Sequence, residues 1–362
     1  MVCSFLAMHM ANELLSLPVA AATLLTAAGG VAWASRRAAQ RLDSSRLPLM
    51  GVMGAFVFAA QMINFTLPGM PGTSGHLGGG VLLAILLGPA AGIVTMAGIL
   101  IIQCLLFQDG GLLALGCNII NMGVVPCLSG WGIYRLITGK AGEVPAWRQY
   151  IAAWLACLVG VTAGAALVPV QTLLSGVLRI PFGTFLTVMV GVHLIIAFIE
   201  GLITFAVLAY LRQTRPAMID AEPVATAAGA NRRWPVLVSM LVTALLLAGV
   251  VSGFASSAPD GLEWTTETYG AVDSSRPPSW AQRVTRWQSQ WTPLPDYDKR
   301  GEASGERSGT PATGEAEATS GLSGWKSLAG VGGTVVALTT LYGGGWVLCR
   351  ARKTSSPQAA VK

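Results

Sequence analysis

The sequence predicts an all-α polytopic membrane protein, with about seven helices in a core and two more in a C-terminal module. Of its 362 residues, 53% are hydrophobic and only 11% are charged, about half the charged share of an average soluble domain. Seven apolar stretches have roughly the length that a helix needs to cross a bilayer. They lie near 14–34, 48–67, 112–134, 150–174, 185–211, 235–254 and 328–349. The net charge of +6 falls largely on loops beside these stretches, which argues against nucleic-acid binding.

One further apolar interval, residues 77–107, is too long for one crossing, and Gly88-Pro89 interrupts it. Proline inside a helix removes a hydrogen bond and clashes with the preceding turn. A helical hairpin broken at Pro89 places every basic cluster on the cytoplasmic side, where such residues concentrate. We therefore predict nine membrane segments, with the N-terminus outside, the C-terminus inside, and a short third segment (about 77–88) tilted or shielded by its neighbours. The basic residues are Arg36, Arg37, Arg41, Arg46, Arg135, Lys140, Arg148, Arg212, Arg215, Arg232, Arg233, Arg350, Arg352 and Lys353.

Two changes in composition divide the chain. Residues 213–233 are polar and Ala-rich, which predicts a cytoplasmic linker before the last two segments. Between those segments, an extracytoplasmic loop is predicted over 255–326, and its stretch 301–324 is poor in apolar residues and expected to be disordered. The first seven residues do not form a signal peptide. The predicted parts are an extension at 1–7 that results from a mis-assigned start, a core at 8–212, the linker, a two-helix module at 234–350 and a cytoplasmic tail at 351–362.

Two of the three histidines lie just outside apolar segments on the same predicted side, His9 in Met8-His9-Met10 and His76 in a glycine-rich loop. If translation starts at Met8, its amine, the amide nitrogen of His9 and the His9 Nδ1 can form fused chelate rings on one metal ion, and His76 can take a fourth position. Four planar nitrogens suit Ni(II) or Cu(II) better than Zn(II), which prefers a tetrahedron. The alternative is a pair of solvated loop histidines near the lipid headgroups.

Several long motifs resemble one family. The runs MHMANELLS, AQMINFTLPGMPGTSGHLGGGVLLAILLGP, QDGGLLALGCNIINMG and GVHLIIAFIEGLIT occur in order between residues 8 and 212. They resemble the CbiM/NikM family, the substrate-specific components of energy-coupling-factor transporters for cobalt and nickel. The second module, with Pro259-Asp260-Gly261-Leu262-Glu263 between its two spans, is similar to the PDGLE-domain partner subunit of CbiN/NikN type.

The resemblance implies a ligand set and partners. The metal would bind through the amine of Met8, the backbone and side chain of His9, and His76. The partners would be a transmembrane coupling subunit and two cytoplasmic ATPase subunits. The family begins at the Met-His pair, whereas this sequence carries seven residues ahead of it, so the amine ligand depends on a start at Met8.

Four polar residues within the apolar segments have two interpretations each. His193 and Glu200 lie seven residues apart on one helix, hence on one face about 10 Å apart along the axis. They form either a structural hydrogen-bonded pair or part of an ion path, since ionisable residues inside a membrane are costly. Asn118 and Asn121 are neighbours on a helix. They either orient the loop that carries His76 or pack between helices.

Two features of the second module have competing explanations. Asp260 and Glu263 could capture metal outside, but their spacing favours an N-cap aspartate with a glutamate three residues later, a capping box. Farther along, tryptophans recur with helical spacing beside arginines, which predicts a short amphipathic helix on the outer leaflet. Its apolar face consists of Trp280, Val284, Trp287 and Trp291.

These observations favour a substrate-binding subunit in the cell membrane, part of an ATP-driven energy-coupling-factor importer for Ni²⁺ or Co²⁺. Nickel is preferred slightly, and the metal would supply nickel enzymes or cobalamin synthesis. No permanent cofactor is expected, because the metal is the transported substrate. The sequence contains no G-x-x-x-x-G-K-[ST] phosphate loop and no H-E-x-x-H motif, so it is not expected to be an enzyme. The alternative is a secondary transporter driven by an ion gradient, with His193 and Glu200 as its titratable groups.

Overall fold

The structure, a computed structural model, is helical throughout its described parts apart from one pair of very short strands. It describes residues 9–42, 44–70, 72–139, 144–177, 180–214, 234–256, 258–269, 279–297 and 324–354. The α-helices are α1 (Leu17–Arg41), α2 (Leu47–Gln61), α3 (Gly80–Leu87), α4 (Pro89–Phe107), α5 (Leu115–Asn118), α6 (Val125–Thr138), α7 (Ala146–Ser175), α8 (Phe182–Thr214), α9 (Trp234–Gly249), α10 (Gly261–Thr268), α11 (Ser279–Trp291) and α12 (Gly324–Thr354). The predicted all-α fold is therefore confirmed.

Short elements connect these helices. Strands β1 (Phe65–Thr66) and β2 (Ser74–Gly75) pair antiparallel in the loop between α2 and α3. A π-helical turn, Ile119–Val124, joins α5 to α6. Single 3₁₀ turns lie at Asn12–Leu14, Ser44–Arg46, Val251–Phe254 and Pro295–Tyr297.

Six helices in the described part of the chain are long and apolar enough to cross a membrane. They are α1, α4, α7, α8, α9 with the turn that follows it, and α12. The other three predicted segments are α2, α3 and the α5–α6 unit, which are shorter or interrupted. Helix α2 ends at Gln61, well before the predicted end at 67, because the chain turns there into β1 and then Pro68.

The predicted break at Pro89 is confirmed. Helix α3 ends at Leu87, Gly88 adopts φ +85°, and α4 begins at Pro89, where proline costs no helical hydrogen bond. The two helices pack closely, since a Cβ on Gly92 would lie 3.0 Å from the backbone nitrogen of Ala84. Seven of the eight α3 residues are buried, so this short helix is shielded by its neighbours, as predicted.

Helix α2 lies at the centre of the bundle, with only Pro48 outside its buried set. Helices α9 and α12 of the second module pack against it. Glycines allow this close approach: a Cβ on Gly54 would lie 2.1 Å from Leu341 of α12, and one on Gly333 of α12 would lie 2.3 Å from Phe58 of α2. Small residues that let helices approach closely are the usual means of packing within a bilayer, so the two modules share one core.

Contacts between helix ends group the basic loops at one end of the bundle. The Arg212 guanidinium at the end of α8 donates to the Val144 carbonyl ahead of α7. Tyr210 and Ser239 join the end of α8 to the start of α9. The Cys349 thiol of α12 contacts the Leu42 carbonyl after α1. The loops that carry His9 and His76 lie at the opposite end, as the predicted alternation of segments requires.

Several predictions concern residues that lie outside the described ranges. These are Met8, the extension at 1–7, most of the linker at 213–233, and most of the stretch 301–324.

Candidate metal site

The segment that carries His9 is anchored to α5. The backbone N–H of Met10 donates to the Asn118 Oδ1 at 2.8 Å, and the Asn118 Nδ2 donates back to the Met10 carbonyl at 3.2 Å. The Asn12 Oδ1 accepts the N–H of Leu113 in the loop ahead of α5. Because the Asn118 amide bonds both the N–H and the C=O of Met10, it fixes this irregular segment. His9 is consequently 2% exposed.

The loop that carries His76 is fixed at its end by three hydrogen bonds. Gln61 at the end of α2 donates to the Gly78 carbonyl at 2.7 Å. Glu200 of α8 accepts the N–H groups of Gly78 and Gly79 at 2.7 and 3.0 Å. Gly79 has φ +79° and a Cβ there would lie 2.5 Å from Val57, so glycine is required. His76 at the end of this loop is buried and lines a cavity together with His193 and Glu200 of α8.

These two segments bring the His9 and His76 rings together, with centroids 5.5 Å apart. The His76 Nδ1 donates to the Leu77 carbonyl at 2.8 Å. The His9 Nδ1 lies 2.6 Å from the Asp109 Oδ1, and the buried His9 Nε2 has no hydrogen-bond partner in the described structure. Since His76 is 6% exposed, the alternative of two solvated histidines is wrong.

The contact with Asp109 also changes the expected chelate. A fused ring system requires the His9 Nδ1, and in this structure that nitrogen faces a carboxylate. The Nε2 is then the atom left for a metal ion. Histidine ligands usually donate their other ring N–H to a carboxylate or backbone carbonyl, and His9 and His76 each do so, toward Asp109 and Leu77. The arrangement fits a pair of Nε2 ligands.

Asp109 was not among the predicted site residues. It follows α4, and its second oxygen accepts the hydroxyl of Tyr297 at 2.8 Å. Burial alone would raise the pKa of Asp109, but His9, by charge and hydrogen bond, and the Tyr297 bond outweigh it, so the pKa lies below its usual value. The one available signal was that Asp109 is the acidic residue directly after an apolar span on the side of both histidines.

The electrostatics of His76 favour a neutral ring. Burial, followed by the neighbouring His9, lowers the pKa of His76 to about 4. A neutral imidazole whose Nδ1 donates a proton to a carbonyl has Nε2 as its unprotonated nitrogen. His76 is therefore ready to bind a cation at neutral pH without first losing a proton.

Asn118 and Asn121 have different roles in the structure. Asn118 holds the segment of His9 and not, as predicted, the loop of His76. Asn121 exchanges two hydrogen bonds of 2.8 Å with Gln171 of α7, which is the predicted alternative of packing between helices.

His193 and Glu200 do not bond to each other, so the predicted hydrogen-bonded pair is wrong. The His193 Nδ1 donates to the Met189 carbonyl one turn earlier at 2.8 Å. Glu200 is 2% exposed and bonds the loop of His76 as described above. Both residues line one cavity of about 60 Å³, which His76 also lines.

The second module covers the loop that carries His76. The Asp260 Oδ1 accepts the N–H groups of Leu262 and Glu263 at 2.6 and 2.8 Å, which confirms the predicted N-cap. Ser74, two residues before His76, donates its N–H to the Pro259 carbonyl at 2.8 Å. Burial raises the pKa of Asp260 well above its usual value.

Helix α11 forms where the tryptophan spacing predicts, but it also has a buried polar face. Thr285 accepts a hydrogen bond from Asn12 and donates one to Glu13. Gln288 accepts the N–H of Leu112 and donates to the Cys104 carbonyl. On the other face, Trp287 is 56% and Trp291 39% exposed. One face of α11 therefore contacts the loops around His9, and the opposite face exposes Trp287 and Trp291.

Across the described residues, no group of three or more His, Cys, Asp and Glu side chains is arranged to hold a metal ion. The two imidazoles can supply two ligands. Further ligands would have to come from other groups, such as a backbone nitrogen or oxygen, a water molecule, or a residue outside the described ranges such as Met8.

Comparison with known proteins gives the family. Residues 9–218 match the family described as the cobalt uptake substrate-specific transmembrane region, and residues 234–350 match the PDGLE domain. A fused nickel transport protein of Rhodobacter capsulatus is 29% identical, over 80% of this chain and 88% of that protein. A putative fused nickel transport protein of Archaeoglobus fulgidus is 39% identical, over 50% of this chain and 58% of that protein.

Other relatives carry different names. The cobalt transport protein CbiM of Geobacter sulfurreducens is 30% identical, over 75% of this chain and 80% of that protein. A crystal structure of a truncated transition metal transporter is 28% identical, with a TM-score of 0.50, and covers 57% of this chain and 99% of that one. The chain therefore belongs to the CbiM family of cobalt and nickel uptake components, with a PDGLE domain fused behind it, and is a multi-pass membrane transporter subunit and not an enzyme.

Proposed function

We propose that this chain is the substrate-binding subunit of an ATP-driven energy-coupling-factor importer for Ni²⁺ or Co²⁺. The observation that carries the proposal is the buried pair of imidazoles, His9 and His76, each with its Nδ1 hydrogen-bonded and its Nε2 directed away from that bond. Such a pair suits a borderline divalent metal that prefers nitrogen ligands. The site lies at the end of the bundle opposite the basic loops. The positive-inside rule assigns the basic loops to the cytoplasm and therefore the site to the outside of the cell.

The proposal includes the metal, the ligands and the partners. His9 and His76 bind the ion, and a free amine at Met8, where present, adds a third nitrogen. Relatives named for nickel and for cobalt both resemble the chain; a ligand set of nitrogens alone favours nickel slightly. A transmembrane coupling subunit and two cytoplasmic ATPase subunits supply the energy. The imported metal serves nickel enzymes or cobalamin synthesis.

The ligand assignment is tested by metal content. Purified full-length protein with His9→Ala or His76→Ala should hold at least tenfold less Ni²⁺ or Co²⁺ than the wild type, while Thr187→Ala, an exposed threonine on α8, should hold the same amount. Intact mass of the same samples shows whether the chain begins at Met8. Wild-type metal content in both histidine variants would refute the site.

The energy source is tested by uptake. Radioactive Ni²⁺ or Co²⁺ uptake should stop when the partner ATPases carry inactivating substitutions, and it should continue when an uncoupler collapses the ion gradient while ATP is maintained. The opposite result would favour the secondary transporter. That alternative depends on His193 and Glu200 as its titratable groups, and both Glu200 oxygens accept backbone N–H groups of the His76 loop, which gives this carboxylate a structural role in that loop.

A further inference from the structure

A cavity extends from His76 between α6, α7 and α8. It has a volume of about 60 Å³, and His76, His193 and Glu200 line it together with Asn118 and Asn121. A buried water needs roughly 10–15 Å³ of such space, so the cavity has room for a metal ion with several waters. His193 lies 11 residues into α8, which places it about 16 Å along that helix from Phe182.

The position of His193 is suited to an incoming cation. Its Nδ1 donates to the Met189 carbonyl, which leaves the Nε2 as the acceptor atom of a neutral ring. No hydrogen bond to that Nε2 is found among the residues that the structure describes. The ring is thus fixed by one nitrogen with the other available, which is the arrangement usual for metal-bound histidine. His9 and His76 likewise each have their Nδ1 hydrogen-bonded.

A purely structural role does not require histidine at this position. Thr172 on α7 bonds the carbonyl four residues earlier with its hydroxyl, as many threonines do within helices. Histidine adds a ring nitrogen to the cavity, and ionisable side chains inside a membrane are rare because they are costly. Glu200 adds a buried carboxylate to the same cavity, and the favourable partner of such a charge is a cation.

We propose that His193 is an inner ligand: a metal ion that leaves His76 is next bound in this cavity by the His193 Nε2, with waters completing its coordination and Glu200 balancing its charge. This inference rests on the proposed function, because it concerns the same ion after it leaves the outer site. Met10, Met122 and Met189, whose thioethers are soft ligands, are also among the residues that line the cavity. Together with the imidazole they form a wall that accepts Ni²⁺ or Co²⁺ more readily than Mg²⁺ or Ca²⁺.

The test separates binding at the outer site from passage through the cavity. His193→Asn places an amide nitrogen near the position of Nδ1, so the bond to Met189 can persist while Nε2 is lost. His193→Cys restores a metal ligand without the ring, and Thr187→Ala on the same helix is the control. Each full-length variant is reconstituted with the coupling and ATPase subunits, and Ni²⁺ and Co²⁺ binding and uptake are measured.

For His193→Asn we expect wild-type affinity at the outer site, within about twofold, and uptake at least tenfold slower. His193→Cys should recover at least a third of wild-type uptake. Wild-type uptake by His193→Asn, or equal loss in the asparagine and cysteine variants with outer binding intact, would overturn the inference. A wild-type protein that neither binds nor imports these ions would overturn the proposed function as well, so the two failures are distinguishable.

Discussion

Asp109 joins the proposed metal site to the second module, and Asp109→Asn tests its role. The carboxylate bonds the His9 Nδ1 at 2.6 Å and the Tyr297 hydroxyl at 2.8 Å. When a metal binds the His9 Nε2, the ring becomes more positive, and the buried carboxylate stabilises that charge. Asparagine has a similar shape and can still accept one bond, but it carries no charge.

The expected loss follows from the hydrogen bond to His9. Hydrogen bonds to charged groups contribute about 1.5–3 kcal/mol, which corresponds to roughly 10–100-fold in the metal dissociation constant. Removal of carboxylates that orient metal-bound histidines has effects of the same order. We therefore expect Asp109→Asn to weaken Ni²⁺ and Co²⁺ binding by about 10–100-fold in equilibrium dialysis of the purified protein.

The matched control is Tyr297→Phe. It leaves the Asp109 carboxylate and its hydrogen bond to His9 in place, and it retains the ring that stacks on Phe107 at 4.4 Å. It should therefore weaken binding by about fivefold at most. Thermal unfolding of both variants monitors the fold. Affinity within twofold of the wild type for Asp109→Asn, or a larger loss for Tyr297→Phe, would refute a role of the Asp109 charge.

Three further predictions concern other parts of the fold. Burial raises the pKa of Asp260 above its usual 3.8, so the folded state loses stability as pH rises from the unfolded-state pKa to the folded-state pKa of this carboxyl. The variant Asp260→Asn keeps an N-cap residue but does not ionise. It should therefore unfold at a higher temperature than the wild type at pH 7 and at a similar temperature near pH 4. Gly164→Ala places a Cβ 2.0 Å from a backbone oxygen and should destabilise the protein by about 1–3 kcal/mol, whereas Gly132→Ala, with nothing within 4 Å, should not; equal melting curves would contradict this. Brominated lipids should quench the exposed Trp287 and Trp291, so replacing both with phenylalanine should abolish part of the quenching; an unchanged quenched fraction would show that α11 does not contact lipid.

Features that depend on neighbouring residues were predictable from the sequence. Gly88-Pro89 sets a helix boundary through backbone sterics alone, and the structure breaks there. Asp260 caps α10 because an N-cap requires only the next three residues. The count of membrane crossings predicted only that His9 and His76 lie on the same side; the structure brings their ring centroids within 5.5 Å.

Features that depend on distant pairs were not predictable. Asp109 acts through His9 and Tyr297, 100 and 188 residues away, and neither spacing leaves a pattern in the sequence. The buried face of α11 is polar, with Thr285 and Gln288 toward the core. The hydrophobicity pattern identifies only the tryptophan face of this helix, because polar residues such as Thr285 and Gln288 are expected to face solvent.

The bonds between Thr285 and both Asn12 and Glu13 span more than 270 residues. A ribosome synthesises the His9 segment first and the residues of α11 that cover it only after helices α1 to α10. During that interval the nascent chain carries its histidines without α11 above them. If the proposed site binds metal, capture in the mature arrangement therefore requires α11 to be in place, and a protein truncated after α8 should bind metal at a site that is still open to water.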